Sequence, residues 1–255
     1  MSETPTTFRR LVLELGHGAA DPATIDQAAA LAQWMGVELY ALFVEDEGLL
    51  RVSGLSFTRE ISPLSLRWRP LEQDRLEAEL RAAADQARRY LDAAALATGV
   101  KRSFEVRRGD LSLQVTEICV ASDIVVVASP RRETTYGSQR WRETAHRSAA
   151  SVLLLPPEGG RNAGRTRGPV VAVVSGAGDP GLDVAQRIAA GGGGAEVVRV
   201  ASGRSAGEII AALGDARERL IVLARTENAS LGDVAAALVA ARGVPVLLVE
   251  PAARG

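Results

Sequence analysis

Residues 122–156 read SDIVVVASPRRETTYGSQRWRETAHRSAASVLLLP. The run 124–128, led by Asp123, holds three consecutive valines and reads as a strand buried on both faces. A polar, arginine-rich stretch follows from 129 to 138, then a helical pattern over 139–146. A second apolar run, 152–155, closes the unit at Pro156-Pro157. Strand, loop, helix and strand at this spacing predict a βαβ unit with a parallel strand pair. Ligands of open parallel sheets sit at the carboxyl ends of strands, so the loop after Ala128 is the first candidate for a site.

Upstream, 11–15 reads as a strand and 16–18 (Gly-His-Gly) as the turn after it. Asp21-Pro22 is a helix start, with the helix running to Met35 and stopped by Gly36. A second strand spans 37–44 and ends at three acidic residues, 45–47. Residues 71–98 carry apolar side chains at steps of three and four (Leu76, Leu80, Ala83, Ala87, Tyr90, Ala94), a long amphipathic helix stopped by Gly99. A short strand at 104–106 and a helix at 111–121, carrying Cys119, lead back to the opening unit.

Residues 48–70 fit no period. They mix Leu55, Phe57, Ile61 and Trp68 with Gly54, Pro63 and Pro70. Long connections are usually functional or disordered, and the apolar content argues for order. The segment is expected to be an ordered flap or docking surface, or else a loop that covers the adjacent helix.

Residues 158–168 (EGGRNAGRTRG) have the composition of a linker. The pattern then restarts in shorter form, with strands at 170–174, 195–200, 220–224 and 244–249 and helices at 181–190, 206–213 and 230–241. DIVVVA at 123–128 matches RLIVLA at 219–224, and SVLLLP at 151–156 matches PVLLVE at 245–250. The fold expected is α/β: two tandem units with parallel open sheets and helices on both faces, the second lacking one strand and the long helix. A tail at 1–7 is expected to be disordered, with units at 8–157 and 169–251.

The 255 residues are 47% hydrophobic and 24% charged, with net charge −1. No global field favours nucleic acid or an anionic membrane. No apolar run is long enough to span a bilayer, and the first residues do not read as a secretory signal. A single cysteine excludes an internal disulfide and a cysteine-based zinc site. The expected location is cytoplasmic.

Two stretches carry candidate chemistry. Arg131 and Arg132, with Gly137, Ser138 and the helix start at 139, can bind an anion through charge and amides; the alternative is a solvated basic surface balanced by Glu133 and Glu143. Gly176, Gly178 and Gly181 spell G-x-G-x-x-G between a strand and a helix, the context of a dinucleotide fingerprint. The next strand ends in no acidic residue to hold a ribose, and Pro180 reads as a helix N1 residue, which makes Asp179 a plain N-cap. A nucleotide there would lie against Arg225 and Thr226. His17 and His146 have no acidic partner at ligand spacing, Cys119 reads as core, and Ser129 and Ser175 lack a nucleophile elbow. No catalytic or metal constellation is visible, so the chain reads as a non-enzyme.

The strand at 11–15 with its helix, VELYALFVED at 37–46, EVRRGD at 105–110, and SDIVVVAS leading to SVLLLPP together resemble the universal stress protein family. The resemblance covers about 8–157, and 168–251 in weaker form. It implies an adenine-nucleotide alpha-hydrolase-like sandwich with a five-stranded parallel sheet, and pairing of units through their last strands. Here that places 152–155 antiparallel beside 244–249 within one chain. ATP-binding members carry G-x-x-G, a spacer and G-[ST] after the fourth strand. In this chain the first two glycines fall on Ala128 and Arg131, and the final pair on Gly137-Ser138 or Ser138-Gln139. The family's aspartate after the first strand falls on Gly16.

The resemblance therefore implies a regulatory or binding protein, non-catalytic, with a degenerate nucleotide site in its first unit. The alternative is a stress sensor, with weak ATPase activity at most, that binds ATP, ADP or AMP at 176–181 or at the arginine loop. A dinucleotide-dependent enzyme is a third class. The expected partner is another protein or a second copy, through 48–70 or the last strands, with neither nucleic acid nor membrane insertion.

Overall fold

The computed structural model describes residues 8–15, 21–55, 57–61, 66–128, 148–157, 167–176, 178–191, 196–201, 205–225 and 231–250. In chain order the first half contains β1 (Arg10–Leu15), α1 (Pro22–Met35), β2 (Glu38–Asp46), α2 (Glu47–Ser53), β3 (Arg59–Ile61), β4 (Trp68–Pro70), α3 (Gln73–Thr98), β5 (Arg102–Gly109), α4 (Leu111–Ile118), β6 (Asp123–Ala128) and β7 (Ser151–Leu155). The second half contains β8 (Val170–Val174), α5 (Pro180–Gly191), β9 (Val197–Ala201), α6 (Ala206–Leu213), β10 (Leu220–Ala224), α7 (Leu231–Arg242) and β11 (Val246–Val249).

The two expected open sheets join into one of nine strands, in the order β5-β2-β1-β6-β7-β11-β10-β8-β9. Every pairing is parallel except the central one, where β7 and β11 run antiparallel with Leu153 opposite Leu247. The seam lies where the last strands of the two repeats meet. The order β9-β8-β10-β11 repeats β2-β1-β6-β7, without a counterpart of β5 among the described residues.

Alternation along the strands divides the core. Leu11, Leu13, Leu153, Leu155, Val170, Val222 and Leu247 face one apolar layer that also takes Ile25 and Ala28 of α1, Ala87 and Leu91 of α3, and Val184 and Ile188 of α5. That layer runs across both halves without a break. The opposite face is built separately: Val12, Val44 and Val125 pack with Val115 and Cys119, while Val171, Ile221 and Leu248 pack under α6 and α7. β7 and β11 are buried along their whole length, as parallel-type core strands require.

Helix ends follow local chemistry. Asp21 caps α1, with its side chain accepting from the Ala23 amide, and Gly36 closes it at φ 69°. Asp46 and Asp110 cap α2 and α4 in the same way, each accepting from the amide three residues on. The long helix α3 begins at Gln73 instead of 71, and its buried side adds Ala84, Leu91 and Ala95 to the expected stripe.

Three expectations shift. The strand at 104–106 extends over Arg102–Gly109, because eight residues register against β2 whatever their polarity. The helix at 111–121 stops at Ile118; Cys119 is its extended C-cap and is buried. Residues 48–70, which showed no period, contain most of α2 and the antiparallel hairpin β3–β4. Among the described residues, no helix is long and apolar enough to cross a membrane.

Candidate functional site

The sheet reverses direction of winding at two points, between β1 and β6 and between β8 and β10. Crevices outside the carboxyl ends of those strands are where open α/β sheets take ligands. At the first point β1 ends at Leu15 and β6 at Ala128. Gly16, Ser129, Arg131, Arg132, Gly137 and Ser138, and the helix expected at 139–146, lie outside the described residues, as do His17 and His146.

At the second point the β8 side is described except for residue 177, while residues 226–230 after β10, Thr226 among them, lie outside the described residues. β8 ends at Val174, and Ser175, Gly176, Gly178 and Asp179 lead into α5. Asp179 is 5% exposed, and its carboxylate accepts three hydrogen bonds. Oδ1 takes the Gly181 amide at 2.8 Å. Oδ2 takes both the amide and the hydroxyl of Ser175, each at 2.8 Å. Asp179 is thus the helix cap that Pro180 suggested, and it also ties the strand end to the helix start. A negative group already sits where helix dipole and free amides would otherwise attract an external anion.

The three glycines serve different ends. Gly178 stands at φ +78°, a left-handed conformation that other residues rarely adopt. A Cβ on Gly181 would lie 3.1 Å from the Ala224 amide nitrogen, so this glycine lets α5 pack against the end of β10. A Cβ on Gly176 would meet nothing within 4 Å. Spacing alone cannot distinguish these roles from close approach to a pyrophosphate.

Arg225 follows directly on the end of β10, and its side chain turns away from β8. Its guanidinium pairs with Glu250, just beyond β11. It also donates to the Ser148 carbonyl at 3.2 Å, and so reaches across the seam into the first half. The Glu250 amide in turn donates to the Ser151 hydroxyl at 3.2 Å. The arginine expected to lie beside a nucleotide is therefore engaged in joining β10, β11 and the approach to β7. The ion pair escapes sequence reading because its partners are separated by a helix and a strand.

Among the described residues, no group of three or more histidine, cysteine, aspartate or glutamate side chains is placed to hold a metal ion. Cys119 is buried, and burial pushes its thiol up to about 12, the reverse of an activated nucleophile.

No protein-family model matches the chain, and no curated protein matches it in sequence. Solved structures do match in fold. A universal stress protein from Archaeoglobus fulgidus DSM 4304 superposes with a TM-score of 0.69 at 15% identity, over 98% of this chain and all of that one. A functionally unknown protein from Pseudomonas aeruginosa PAO1 superposes with a TM-score of 0.54 at 12% identity, over 96% of this chain and 94% of that one. The chain has the universal stress protein fold.

Proposed function

We propose that the chain is a universal-stress-type regulatory or binding protein, built from tandem units at 8–157 and 169–251, that works by occupancy and not by turnover. The observation that carries this reading is Asp179. Its carboxylate satisfies both ends of the glycine turn from inside the protein, and a phosphate at α5 would meet like charge and spent donors. On this reading the second glycine loop is a structural turn.

Thermal denaturation with ATP, ADP, AMP and cyclic nucleotides tests the reading. A ligand at about 100 times its Kd stabilises by about 2.7 kcal/mol, which shifts Tm measurably in a chain of this size. The expected result is no shift with any of them. A shift that Gly178→Val abolishes would place a nucleotide on the second loop and overturn the role given to Asp179.

A second reading, an adenine-nucleotide sensor, is favoured by the crossover between β1 and β6, whose carboxyl ends form the other crevice. A nucleotide carried through purification, retained by Gly178→Val and lost in Gly137→Val, would support it.

A further inference from the structure

The hairpin β3–β4 is mounted with its polarity reversed. Residues alternate between two faces, and register puts Glu60 opposite Arg69 on one and Ile61 opposite Trp68 on the other. The polar pair faces the body of the protein: Glu60 accepts from Arg69 at 2.5 Å and also from Arg75 of α3. The apolar pair faces outward, with Trp68 65% exposed. A hairpin stabilised only by its own chain would bury the tryptophan and leave the ion pairs to water.

Six of the ten exposed large apolar side chains among the described residues fall in this one region: Val52, Leu55, Phe57, Ile61, Leu66 and Trp68. Phe57 is 78% exposed and Leu66 79%. Exposed apolar side chains concentrated in one segment mark an interaction site. Beside it lies a hollow of about 380 Å³, with Leu55, Pro70, Leu71, Glu72 and Asp74 among the residues of its wall.

We propose that this face is a dimer interface, and that its occupant is a second copy of the same chain. Charge favours a copy over an unrelated partner. The apolar surface is flanked by exposed Arg59 and Arg67 on the hairpin and by exposed Glu72 and Asp74 at the start of α3. A patch carrying both signs is complementary to itself after a half-turn, whereas a patch of one sign repels its own image. Under that symmetry the apolar side of one hairpin, which carries Arg59 on the same side as Ile61, faces the acid-lined hollow of the other. Symmetry also closes the assembly at two chains. The last-strand edge is already consumed inside the chain by β7 and β11, and the described second half has no hairpin of its own. The inference is independent of whether a nucleotide binds.

Sedimentation velocity of the full chain, from low micromolar to about 100 μM, tests it. The wild type is expected to sediment as a dimer at the upper end. Trp68→Glu and, separately, Phe57→Ser should each raise the dimer Kd at least ~10-fold while leaving the circular dichroism spectrum unchanged. Arg59→Glu should weaken the dimer, and adding Asp74→Arg should recover it, a rescue that misfolding cannot produce. A wild type that stays monomeric at about 100 μM overturns the proposal. So does a dimer that survives both folded apolar variants, or a monomer that instead binds a different protein through this face.

Discussion

The guanidinium carbon of Arg219 lies 3.8 Å from the centre of the Trp34 ring. Trp34 belongs to α1 in the first half, and Arg219 immediately precedes β10 in the second. The contact therefore pins the two repeats together on the shared face of the sheet. Burial lowers the arginine's pKa, and its Nε has no hydrogen-bond partner among the described residues. The ring is then a main source of compensation for the desolvated cation. Arg219→Ala should cost about 1 kcal/mol in urea unfolding, and Arg219→Lys a similar amount, because an ammonium does not stack as a plane. Wild-type stability in Arg219→Lys would show that charge alone suffices.

Asp123 is fully buried and held by Arg10 through two contacts of 3.0 Å, while its Oδ2 also takes the Val120 amide at 3.0 Å. Arg10 further donates to the Ile118 carbonyl at 2.8 Å and stacks on Tyr40. Asp123→Ala leaves the half-buried Arg10 cation without its main partner and should cost about 3 kcal/mol, the low end for breaking a buried pair. The double change Arg10→Met with Asp123→Leu should cost clearly less than the two single changes summed. Additive losses in that cycle would mean the pair is not coupled.

The glycine turn makes a graded prediction. Gly176→Ala should change stability by no more than about 0.5 kcal/mol. Gly178→Ala should cost about 1–2 kcal/mol from left-handed strain, and Gly181→Ala about 1–3 kcal/mol from the clash with β10. Chemical denaturation of the three variants measures the order, and an equal loss at all three would contradict the separate roles.

Alkaline pH should destabilise the fold. Burial raises the Cys119 thiol from 9.0 to about 12. Burial, followed by the hydrogen bond to Glu105, raises the Tyr40 hydroxyl from 10.0 to about 12. Between those limits the unfolded chain releases protons that the folded chain keeps, so stability is full below about pH 9 and falls as pH rises towards 12. Urea midpoints against pH should show the fall, flattened in Tyr40→Phe. At pH 8 a thiol-specific disulfide reagent should label Cys119 only after denaturant is added.

Where burial is two-sided the fold was legible, because 124–126, 152–155 and 246–249 have no polar face to place. The seam between β7 and β11 was an expectation of the family resemblance, since nothing in those two runs themselves names the edge that each will pair with. The hairpin was not legible, for its strands are three residues long and its apolar side points the wrong way for burial. Nor was buried Glu218, held by Arg242 at 2.7 and 2.9 Å, because that pair depends on how the end of α7 returns to the approach of β10. At the glycine turn, Asp179 was legible as a cap, but its bonds to Ser175 depend on the left-handed bend at Gly178.

The antiparallel contact of β7 with β11 also bears on stoichiometry. Two separate proteins meeting along such an edge would come apart on dilution. A short covalent tether holds the edges at an effective concentration in about the millimolar range, so their union is indifferent to how much protein the cell makes. Because each edge is written in its own stretch of gene, neither has to match itself any longer, and the two repeats are free to specialise in different directions.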